Sequence, residues 1–285
     1  MKLKIGFLMT KLRAEEKFLL DELRKRDVDL IIIDDNIEFF DISKKKYDID
    51  VLFERSVSYS RGLYISKLFE AQNVKVINPS FIAERCGDKY ITSQILVNNK
   101  IPTPKVFMAF SEESALNACD FLGYPCVLKP VIGSWGRLMA KVKSREEAES
   151  IIEHKATLGG YNHSIFYIQE YIEKPGRDIR AFVIGNKTIA AIYRNSEHWI
   201  TNTARGGKAE NCPITKEIDE LCKKTADAIT DKKGGLLAID IFETKNGLMV
   251  NEVNHTMEFR NSIITTGVNI PKLMVDYVLE QGGKK

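Results

Sequence analysis

The 285-residue sequence has no long apolar run, no strong excess of either charge and no segment of low complexity. A helix needs roughly 18 to 20 apolar residues to cross a bilayer, and no stretch approaches that length, so no membrane span or membrane partner is expected. The first residues carry lysines and lack a small-residue cleavage site, so no export signal is expected either. The net charge of +3 comes from interleaved acidic and basic residues, which argues against nucleic acid as a partner.

Cysteine and histidine are also scarce, with five and four residues respectively. The cysteines form no C-x-x-C pair and have no spacing with histidine that suits zinc. Their odd number and their scatter favour free, buried thiols in a reducing compartment, so a cytoplasmic protein is expected. No cysteine is a candidate nucleophile.

What the sequence does contain is 44% hydrophobic residues, enough for a substantial core and two or three small domains. Over the first hundred residues, short apolar runs alternate with amphipathic stretches, which is the pattern of a parallel sheet with crossover helices. Two prolines, Pro102 and Pro104, forbid continuation of a helix. An N-terminal α/β domain is therefore predicted to span residues 1–101. Its strands are predicted at residues 3–9, 29–34, 51–53 and 75–77, and its helices at residues 14–26, 59–72 and 88–98.

After this boundary the pattern changes to α+β. A strand, a helix, a second strand and a glycine-bearing loop lead to a helix near residues 144–154 and then to strands that are predicted to be antiparallel. The remainder contains a helix near residues 216–230, a strand pair and a closing helix. We therefore predict a central subdomain over residues 102–185 and a carboxyl-terminal subdomain over residues 186–285.

The strongest chemical signal is a hairpin predicted between residues 235 and 255, with an Asn-Gly turn. Reflection about the turn places Asp240 opposite, or nearly opposite, Glu252, and Asn254 shares a strand face with Glu252. Two carboxylates and an amide oxygen suit Mg²⁺, which binds a few protein oxygens and completes its shell with water and phosphates. The alternative is a pair of solvent-facing carboxylates, which would place like charges side by side among apolar neighbours at an energetic cost.

A second signal is Lys129, which stands at the end of an apolar strand, directly before a glycine-bearing loop. Gly133 and Gly136 let backbone amides approach an anion, and the lysine supplies a point charge, so this segment is a candidate seat for triphosphate oxygens. The alternative is an ordinary surface turn, because the segment matches neither a P-loop nor a G-x-G-x-x-G motif. In that case the other side chains of the loop are decoration or packing residues: Ser134, Trp135 and Arg137.

Three further features carry weaker signals. Lys89 lies one residue inside a predicted helix, where a solvated lysine is the ordinary interpretation. Residues 169–172 end a strand before a turn, a position at which free backbone groups can hydrogen-bond the edge of an adenine ring. Asp178 and Arg180 share a strand face and Arg194 ends the next strand, but paired surface ions explain these three residues equally well.

Five segments, in chain order, carry a resemblance to a known family: CGDK, VLKPVIGSWGR, IQEYIEKPGRDIR, AIDIFE and VNEVNHTMEFRN. The chain resembles the ATP-grasp superfamily over nearly its whole length, and within it the branch of the ribosomal-protein glutamate ligase. The resemblance implies an ATP-grasp fold, in which an N-terminal parallel-sheet α/β domain precedes two α+β domains that clasp ATP. It also implies an ATP-dependent carboxylate–amine ligase that forms ADP and an acyl phosphate.

The resemblance also implies a role for each matching residue. Lys89 and Lys129 would contact the nucleotide phosphates under the closing loop of residues 133–137, and Asp178 would lie near the ribose. The adenine hinge would be formed by Gln169, Glu170, Tyr171 and Ile172. Two magnesium ions would be held by Asp240, Glu252 and Asn254. The nucleotide-binding residues at the point of phosphate transfer would be Arg194 and Asn202, which with Lys129 are the expected catalytic residues.

The segments HWITNTARGGKAENCP and NEVNHTMEFRNS make the resemblance more specific. They are similar to ligases of lysine biosynthesis that join α-aminoadipate to the carboxyl-terminal glutamate of a small acidic amino-group carrier protein. The expected partners are therefore this carrier and the amino acid, and a homo-oligomer is expected. The residues expected to bind the amino acid are Thr203, Arg205, Glu258, Phe259, Arg260 and Asn261. Arginine suits bidentate pairing with carboxylates. Asn261 and Ser262 stand where relatives that take glutamate tend to show Gly-Phe, whereas aminoadipate ligases show Asn first, so the resemblance favours α-aminoadipate.

Other substrates and one other class of function stay open at this stage. The same chemistry with glutamate would serve arginine biosynthesis, and a coenzyme or a ribosomal-protein tail would take the place of the carrier. His255 is interpreted either as a base for the attacking amine or as a packing residue. A nucleotide-binding regulatory module without turnover is the alternative outside enzymes, although intact Asp240, Glu252 and Asn254 argue against it.

Overall fold

The computed structural model of the chain describes residues 2–133, 136–160, 164–201 and 207–283. Its strands are β1 (Leu3–Met9), β2 (Val28–Asp34), β3 (Val51–Arg55), β4 (Lys75–Ile77), β5 (Val106–Ala109), β6 (Cys126–Lys129), β7 (Ala140–Val142), β8 (Phe166–Glu170), β9 (Arg177–Gly185), β10 (Lys187–Asn195), β11 (Lys208–Asn211), β12 (Gly235–Thr244) and β13 (Gly247–Asn254). Its helices are α1 (Ala14–Arg24), α2 (Tyr59–Ala71), α3 (Ser80–Gly87), α4 (Lys89–Asn98), α5 (Glu112–Leu122), α6 (Arg145–Leu158), α7 (Lys216–Thr230), α8 (Arg260–Thr266) and α9 (Ile270–Gly283). The strands form three sheets.

The first sheet is parallel, with the strand order β2-β1-β3-β4, as the sequence predicts. Alternate residues of β1 point to opposite faces. Ile5 and Phe7 pack in a core with α1 and α9, whereas Leu8 packs in a second core with α2. Both faces are therefore covered, as is usual for parallel sheets. The closing helix α9 contributes Met274 and Val278 to the core that contains Phe7, so the last helix of the chain completes the first sheet.

The second sheet is antiparallel, with the strand order β5-β8-β6-β7, and α5 and α6 pack against it and against each other. Helix α5 begins with a reciprocal cap, because the hydroxyl groups of Ser111 and Ser114 each accept from the backbone N–H of the other residue. Lys129 ends β6, and Gln169 lies next to the last residue of β8. This sheet therefore brings both residues to one wall of the cleft described below.

The third sheet is antiparallel, with the strand order β11-β10-β9-β12-β13. One face packs on α3, α4 and α7, and the other shares a core with the first sheet. The predicted boundary after residue 185 separates β9 from β10, whereas the structure pairs these two strands and also pairs β9 with β12. Strand β9 thus belongs to the third sheet through its hydrogen-bonded neighbours, and we propose that the two subdomains divide between β8 and β9.

Most predicted elements are confirmed, with ends that shift by a few residues. Strands β1 and β4 and helix α7 span the predicted residues. Helix α8 and strand β11 are not predicted from the sequence, because both are short and the four residues of β11 carry no apolar alternation. All five cysteines are free and buried, as predicted. Within the described residues, no helix combines the length and the apolar character that a bilayer span needs.

Asn78 joins the N-terminal domain to the carboxyl-terminal hairpin. Its buried amide donates to the carbonyl oxygens of Leu236 and His255, both at 2.8 Å, and accepts from the N–H of Leu236 at 2.8 Å. The change Asn78→Ala would leave these buried backbone groups without a partner, so we expect the free energy of unfolding to fall by about 2–4 kcal/mol in a urea titration. Asn99→Ala removes an exposed amide and should cost less than about 1 kcal/mol. Equal losses in the two variants would contradict this role of Asn78.

Candidate active site

The hairpin of β12 and β13 places two acidic side chains beside each other. Asp240 and Glu252 are direct partners in the strand register, which confirms the predicted pairing. Counting back from the turn pairs Asp240 with Asn251, but a β-bulge between these pairs advances the register by one residue. As a result Asn251 and Glu252 line the same cleft, although they are consecutive on the strand. Strict alternation forbids this arrangement, so an analysis based on strand period misses Asn251.

Asp240 is enclosed by two arginines. Arg180, its register partner on β9, donates from Nε and Nη2 to the two carboxylate oxygens at 2.8 and 2.9 Å. Arg194 on β10 lies 3.2 Å from one of these oxygens and donates to Asp178 at 2.6 and 2.8 Å. The side chains of Asp178, Arg194, Asp240 and Arg180 thus form a continuous ladder of ion pairs. All four are buried, so the interpretation of these residues as surface ion pairs is wrong.

The ladder fixes the charges of its members. Burial by itself would raise the pKa of the Asp240 carboxyl, but the guanidinium groups of Arg180 and Arg194 outweigh burial and hold that pKa below its ordinary value. Burial would likewise lower the pKa of Arg194, but Asp240 and Asp178 outweigh it and raise that pKa. Asp240 and Arg194 therefore both stay charged at neutral pH, although water is excluded from them. Charges held in a fixed arrangement of this kind are suited to stabilising a transferring phosphoryl group.

The face between Asp240 and Glu252 fits a divalent cation. The described residues contain no metal-binding group of three His, Cys, Asp or Glu side chains, but Mg²⁺ also accepts amide oxygens and water as ligands. Asn254 is a candidate for such an amide ligand, because its buried Nδ2 has no hydrogen-bond partner in the described part of the chain. A buried amide group without a partner is unusual. Since the two ends of an asparagine amide are interchangeable by a flip, the same position offers an oxygen to a cation.

Lys129 ends β6 deep inside the cleft and is 4% exposed. Its Nζ donates to Gln169 Oε1 at 2.8 Å and to Asn251 Oδ1 at 3.0 Å. Both acceptors are neutral, so burial dominates and lowers the pKa of Lys129 to about 8, although Glu252 opposes this shift. A buried ammonium group without a direct carboxylate partner is suited to an anionic ligand such as a phosphate. The predicted adenine hinge uses backbone groups of residues 169–172, so the engagement of the Gln169 side chain with Lys129 leaves that prediction open.

A cleft with about 620 Å³ of empty space, part of it open to solvent, lies between the second and third sheets. Its apolar and aromatic lining residues are Val127, Met139, Tyr171, Ile172, Trp199, Ile200 and Phe242. Its charged lining residues include Lys129, Lys174, Asp178, Arg194, Asp240 and Glu252. Glu170 also lines the cleft at the end of β8, directly before Tyr171 and Ile172. The cleft therefore offers both apolar surface for a purine ring and fixed charges for phosphates.

Lys174 is a second lysine of this cleft whose side chain is largely buried, and it is not predicted from the sequence. Its Nζ donates to Thr201 Oγ1 at 2.9 Å and lies 3.7 Å from a carboxylate oxygen of Asp178. Burial lowers the pKa of Lys174, and Asp178 opposes that shift. Lys174 stands next to Pro175 before β9, a position typical of an exposed turn. Its contacts with Thr201 and Asp178 show that it lies in the cleft.

Lys89 and the glycine loop meet at the edge of the cleft. Lys89 begins α4, which Asp88 caps with its side chain, and Lys89 Nζ donates to the carbonyl oxygen of Gly133 at 2.6 Å. Gly136 has a φ of +62°, in the left-handed region that favours glycine. One small pocket is lined by Lys89, Gly133, Gly136, Arg137 and Glu252. The loop residues Ser134 and Trp135 lie outside the described residues.

A second cavity of about 1000 Å³ lies on the other side of the paired carboxylates, between the third sheet and the N-terminal domain. Its lining residues include Arg13, Ser56, Tyr59, Gly133, Arg180, Asn254, His255 and Glu258. Asp240 and Glu252 line both cavities and therefore form the partition between them. The two arginines that hold Asp240 are divided between the cavities, with Arg194 lining the first and Arg180 the second.

The residues expected to bind the amino acid lie in different environments. Glu258 lines the second cavity and accepts from Arg13 Nη1 at 3.0 Å. Arg260 and Asn261 are exposed at the start of α8. Phe259 is 1% exposed and its side chain packs in the core shared with the first sheet, so its part in binding the amino acid stays a prediction. The remaining predicted residues lie outside the described ranges: Asn202, Thr203 and Arg205.

Two family descriptions together match almost the whole chain. Residues 86–278 match the RimK-like ATP-grasp domain, and residues 5–85 match the LysX preATP-grasp domain. The fold is similar to the crystal structure of a RimK-domain ATP-grasp protein from Sphaerobacter thermophilus, with a TM-score of 0.82, 23% sequence identity and coverage of 97% of this chain and 99% of that one. At this identity the similarity bears on the fold alone.

Three curated relatives are similar over most of their length. The α-aminoadipate–LysW ligase LysX of Saccharolobus solfataricus is 40% identical over 272 residues, which cover 94% of this chain and 98% of that protein. The glutamate–LysW ligase ArgX of Sulfurisphaera tokodaii is 37% identical over 276 residues, with coverage of 95% and 96%. The tetrahydromethanopterin:α-L-glutamate ligase of Methanococcus maripaludis is 31% identical over 287 residues, with coverage of 93% and 95%. All three are ligases by name.

Proposed function

This chain belongs to the RimK-like ATP-grasp family, and from that premise we propose that it joins the α-amino group of α-aminoadipate to the carboxyl-terminal glutamate of a small acidic carrier protein. The chain is an ATP-grasp ligase that forms an amide bond and ADP, whichever amino acid it uses. Glutamate is the alternative amino acid, because a glutamate–LysW ligase has a similar level of identity.

The observation that carries the proposal is the partition formed by Asp240 and Glu252 between two cavities. A ligase of this type has to hold a nucleotide and a carboxylate on opposite sides of the phosphate that is transferred. The first cleft is lined by both apolar and charged side chains, as a nucleotide requires. The second cavity opens on the same carboxylates from the side of the N-terminal domain, which leaves room for the acceptor and the amine.

In the first step, the side-chain carboxylate of the carrier's terminal glutamate attacks the γ-phosphate in line, which forms an acyl phosphate and ADP. Lys129 and Arg194 place positive charge against the phosphoryl oxygens, where it is most effective in the transition state. Asp240, Glu252 and Asn254 would hold magnesium ions, which neutralise phosphate charge when bound. No side chain of the protein has to act as a nucleophile.

In the second step, the amino group of the amino acid attacks the acyl carbon and inorganic phosphate leaves. We propose that Thr203, Arg205, Arg260 and Asn261 bind the carboxylates of the amino acid. His255 is not suited to take the proton from the amine, because burial lowers its pKa to about 4. Its ring packs against Tyr59, with 6.4 Å between the ring centroids, and we assign it to packing.

The proposal is tested by ADP release, with α-aminoadipate or glutamate as the amine and a carrier as the acceptor. We expect ADP release to require both substrates, and α-aminoadipate to have a kcat/KM roughly tenfold above that of glutamate, which is the scale of discrimination that one methylene permits. A carrier whose terminal glutamate is replaced by glutamine is the matched control, since it has no side-chain carboxylate to phosphorylate. Mass spectrometry of the carrier identifies the product.

Two results would overturn the substrate assignment. One is ADP release that proceeds equally well with the glutamine-terminated carrier. The other is a strict preference for glutamate, or for tetrahydromethanopterin as the acceptor, over α-aminoadipate and the carrier. Either result would leave the ligase chemistry in place and change only its substrates.

A further inference from the structure

Arg180 is the cation that the second cavity presents beside the paired carboxylates. It is 9% exposed and lines this cavity together with Asp240, Glu252 and Asn254. Among the described lining residues the other cationic side chain is Arg13, and three of its nitrogens already donate to carboxylates of the protein. Arg180 is therefore the cationic side chain that lines this cavity directly beside the partition.

Arg180 and a divalent cation compete for the same oxygens. Both carboxylate oxygens of Asp240 accept from Arg180, at 2.8 and 2.9 Å, and one of them also lies 3.2 Å from Arg194 Nη2. A doubly charged ion that binds Asp240 from the partition would face two guanidinium groups at close range, and like charges at such distances repel strongly where water is excluded. Arg194 retains Asp178 as a bidentate partner, whereas Asp240 is the one side chain found paired with Arg180 in the described part of the chain.

We propose that Arg180 exchanges partners: it holds Asp240 in the metal-free protein and, once a divalent cation occupies Asp240, it turns into the second cavity and binds the carboxylate that is to be phosphorylated. The planar guanidinium group that matches Asp240 with two hydrogen bonds matches a substrate carboxylate in the same way. The inference rests on the proposed ligase function. It gives Arg180 a direct contact with the acceptor, on the opposite side of the partition from Arg194.

The exchange couples two binding events. Metal binding releases Arg180 for the acceptor, and the acceptor removes a competitor of the metal, so each strengthens the other, as reciprocal linkage requires. The acceptor carboxylate is then held at the partition only when the cation is present. In the metal-free protein, the charge of Asp240 is neutralised internally and the second cavity offers no free guanidinium at this point.

The first test is a titration with Mn²⁺ in the presence of ADP, in which the free ion is measured by electron paramagnetic resonance. We expect Arg180→Gln to bind Mn²⁺ roughly tenfold more tightly than the wild type, because the competitor of the ion is gone. The matched control is Arg177→Gln on the same strand, where Arg177 makes an equivalent bidentate pair with Glu243. This variant should bind Mn²⁺ as the wild type does.

The second test measures the affinity of a short acetylated peptide that ends in glutamate, with ADP, in the presence and absence of Mg²⁺. In the wild type and in Arg177→Gln, Mg²⁺ should tighten peptide binding by about tenfold. In Arg180→Gln this difference should disappear. Arg180→Lys keeps one charge and decides the question if the glutamine variant does not fold; it should show tighter Mn²⁺ binding and a smaller effect of Mg²⁺ on the peptide.

Unchanged Mn²⁺ affinity in the Arg180 variants, or an effect of Mg²⁺ on the peptide that survives the loss of Arg180, would overturn the exchange. Failure of the proposed function is a separate result. It appears as a wild-type protein that releases no ADP with the carrier, whereas the Mn²⁺ titration needs no acceptor and is unaffected by the identity of the substrate.

Discussion

Glu252→Gln is expected to lower kcat by at least about a hundredfold while leaving the stability of the protein almost unchanged. The substitution keeps the size of the side chain and removes the charge that would bind a cation. None of the ion pairs among the described residues involves Glu252, so no buried cation loses its partner. The measurements are ADP release as a function of Mg²⁺ concentration and a thermal melt of the nucleotide-free protein.

Asp240→Asn tests both roles of Asp240, as a proposed metal ligand and as the partner of two buried arginines. It should lose turnover to a similar extent, but it should also destabilise the fold by about 3–5 kcal/mol, because Arg180 and Arg194 would remain buried without full compensation. Glu243→Gln, on the same hairpin and paired with the partly exposed Arg177, is the control that should keep its turnover. Wild-type activity in Glu252→Gln at ordinary Mg²⁺ concentrations would remove the basis for a metal site at this partition.

Lys129→Met is expected to lower kcat by about two orders of magnitude and at the same time to stabilise the nucleotide-free protein by on the order of 1 kcal/mol. The loss of activity follows from the loss of a fixed charge at the phosphates. The gain in stability follows because Lys129 is buried as an ammonium group whose direct partners are neutral. That gain is partly offset, since Gln169 and Asn251 each lose a donor. Urea titration at pH 7 and an assay of ADP release measure the two effects.

The contribution of Lys129 to the stability of the protein depends on pH. The pKa of Lys129 is about 8 in the folded protein and 10.5 ordinarily. Between these values the unfolded chain binds more protons, so the contribution of Lys129 to stability rises with pH, and below pH 8 the cost of burial is fully present. Lys129→Met should lack this rise. Lys155→Met provides the control. Burial also lowers the pKa of Lys155, but this residue lies on α6, away from the cleft, so the variant should keep full turnover. A Lys129→Met protein that is clearly less stable than the wild type would contradict this account.

The sequence predicts the pairing of Asp240 with Glu252 because a hairpin turn and a strand period are local properties. The parallel first sheet is predictable for the same reason, since the alternation of apolar runs and amphipathic helices is written within short windows. Lys129 is also found locally, from an apolar strand followed by glycines. In each case the pattern that decides the structure lies within one or two neighbouring elements.

The parts that the sequence analysis misses depend on contacts between distant strands. The bulge that brings Asn251 into the cleft has no marker in the residue pattern. Arg180 meets Asp240 through the pairing of β9 with β12, sixty residues apart, and a surface ion pair was equally consistent with the sequence. A motif assigns Phe259 to the substrate, and its burial in the core shared with the first sheet could not be predicted from that motif. The period of a strand predicts the face of the sheet on which a side chain lies. Its neighbours depend on which strands pair, and those strands are distant in sequence.

The position of α9 has a consequence for how the chain emerges from the ribosome. The face of the first sheet that carries Phe7 is covered partly by Met274 and Val278 of α9, which are translated after the strands of the other two sheets. A nascent chain therefore carries an incompletely covered apolar sheet throughout the synthesis of the other two sheets. The first sheet is therefore among the last parts of the described structure to be fully buried as the chain folds.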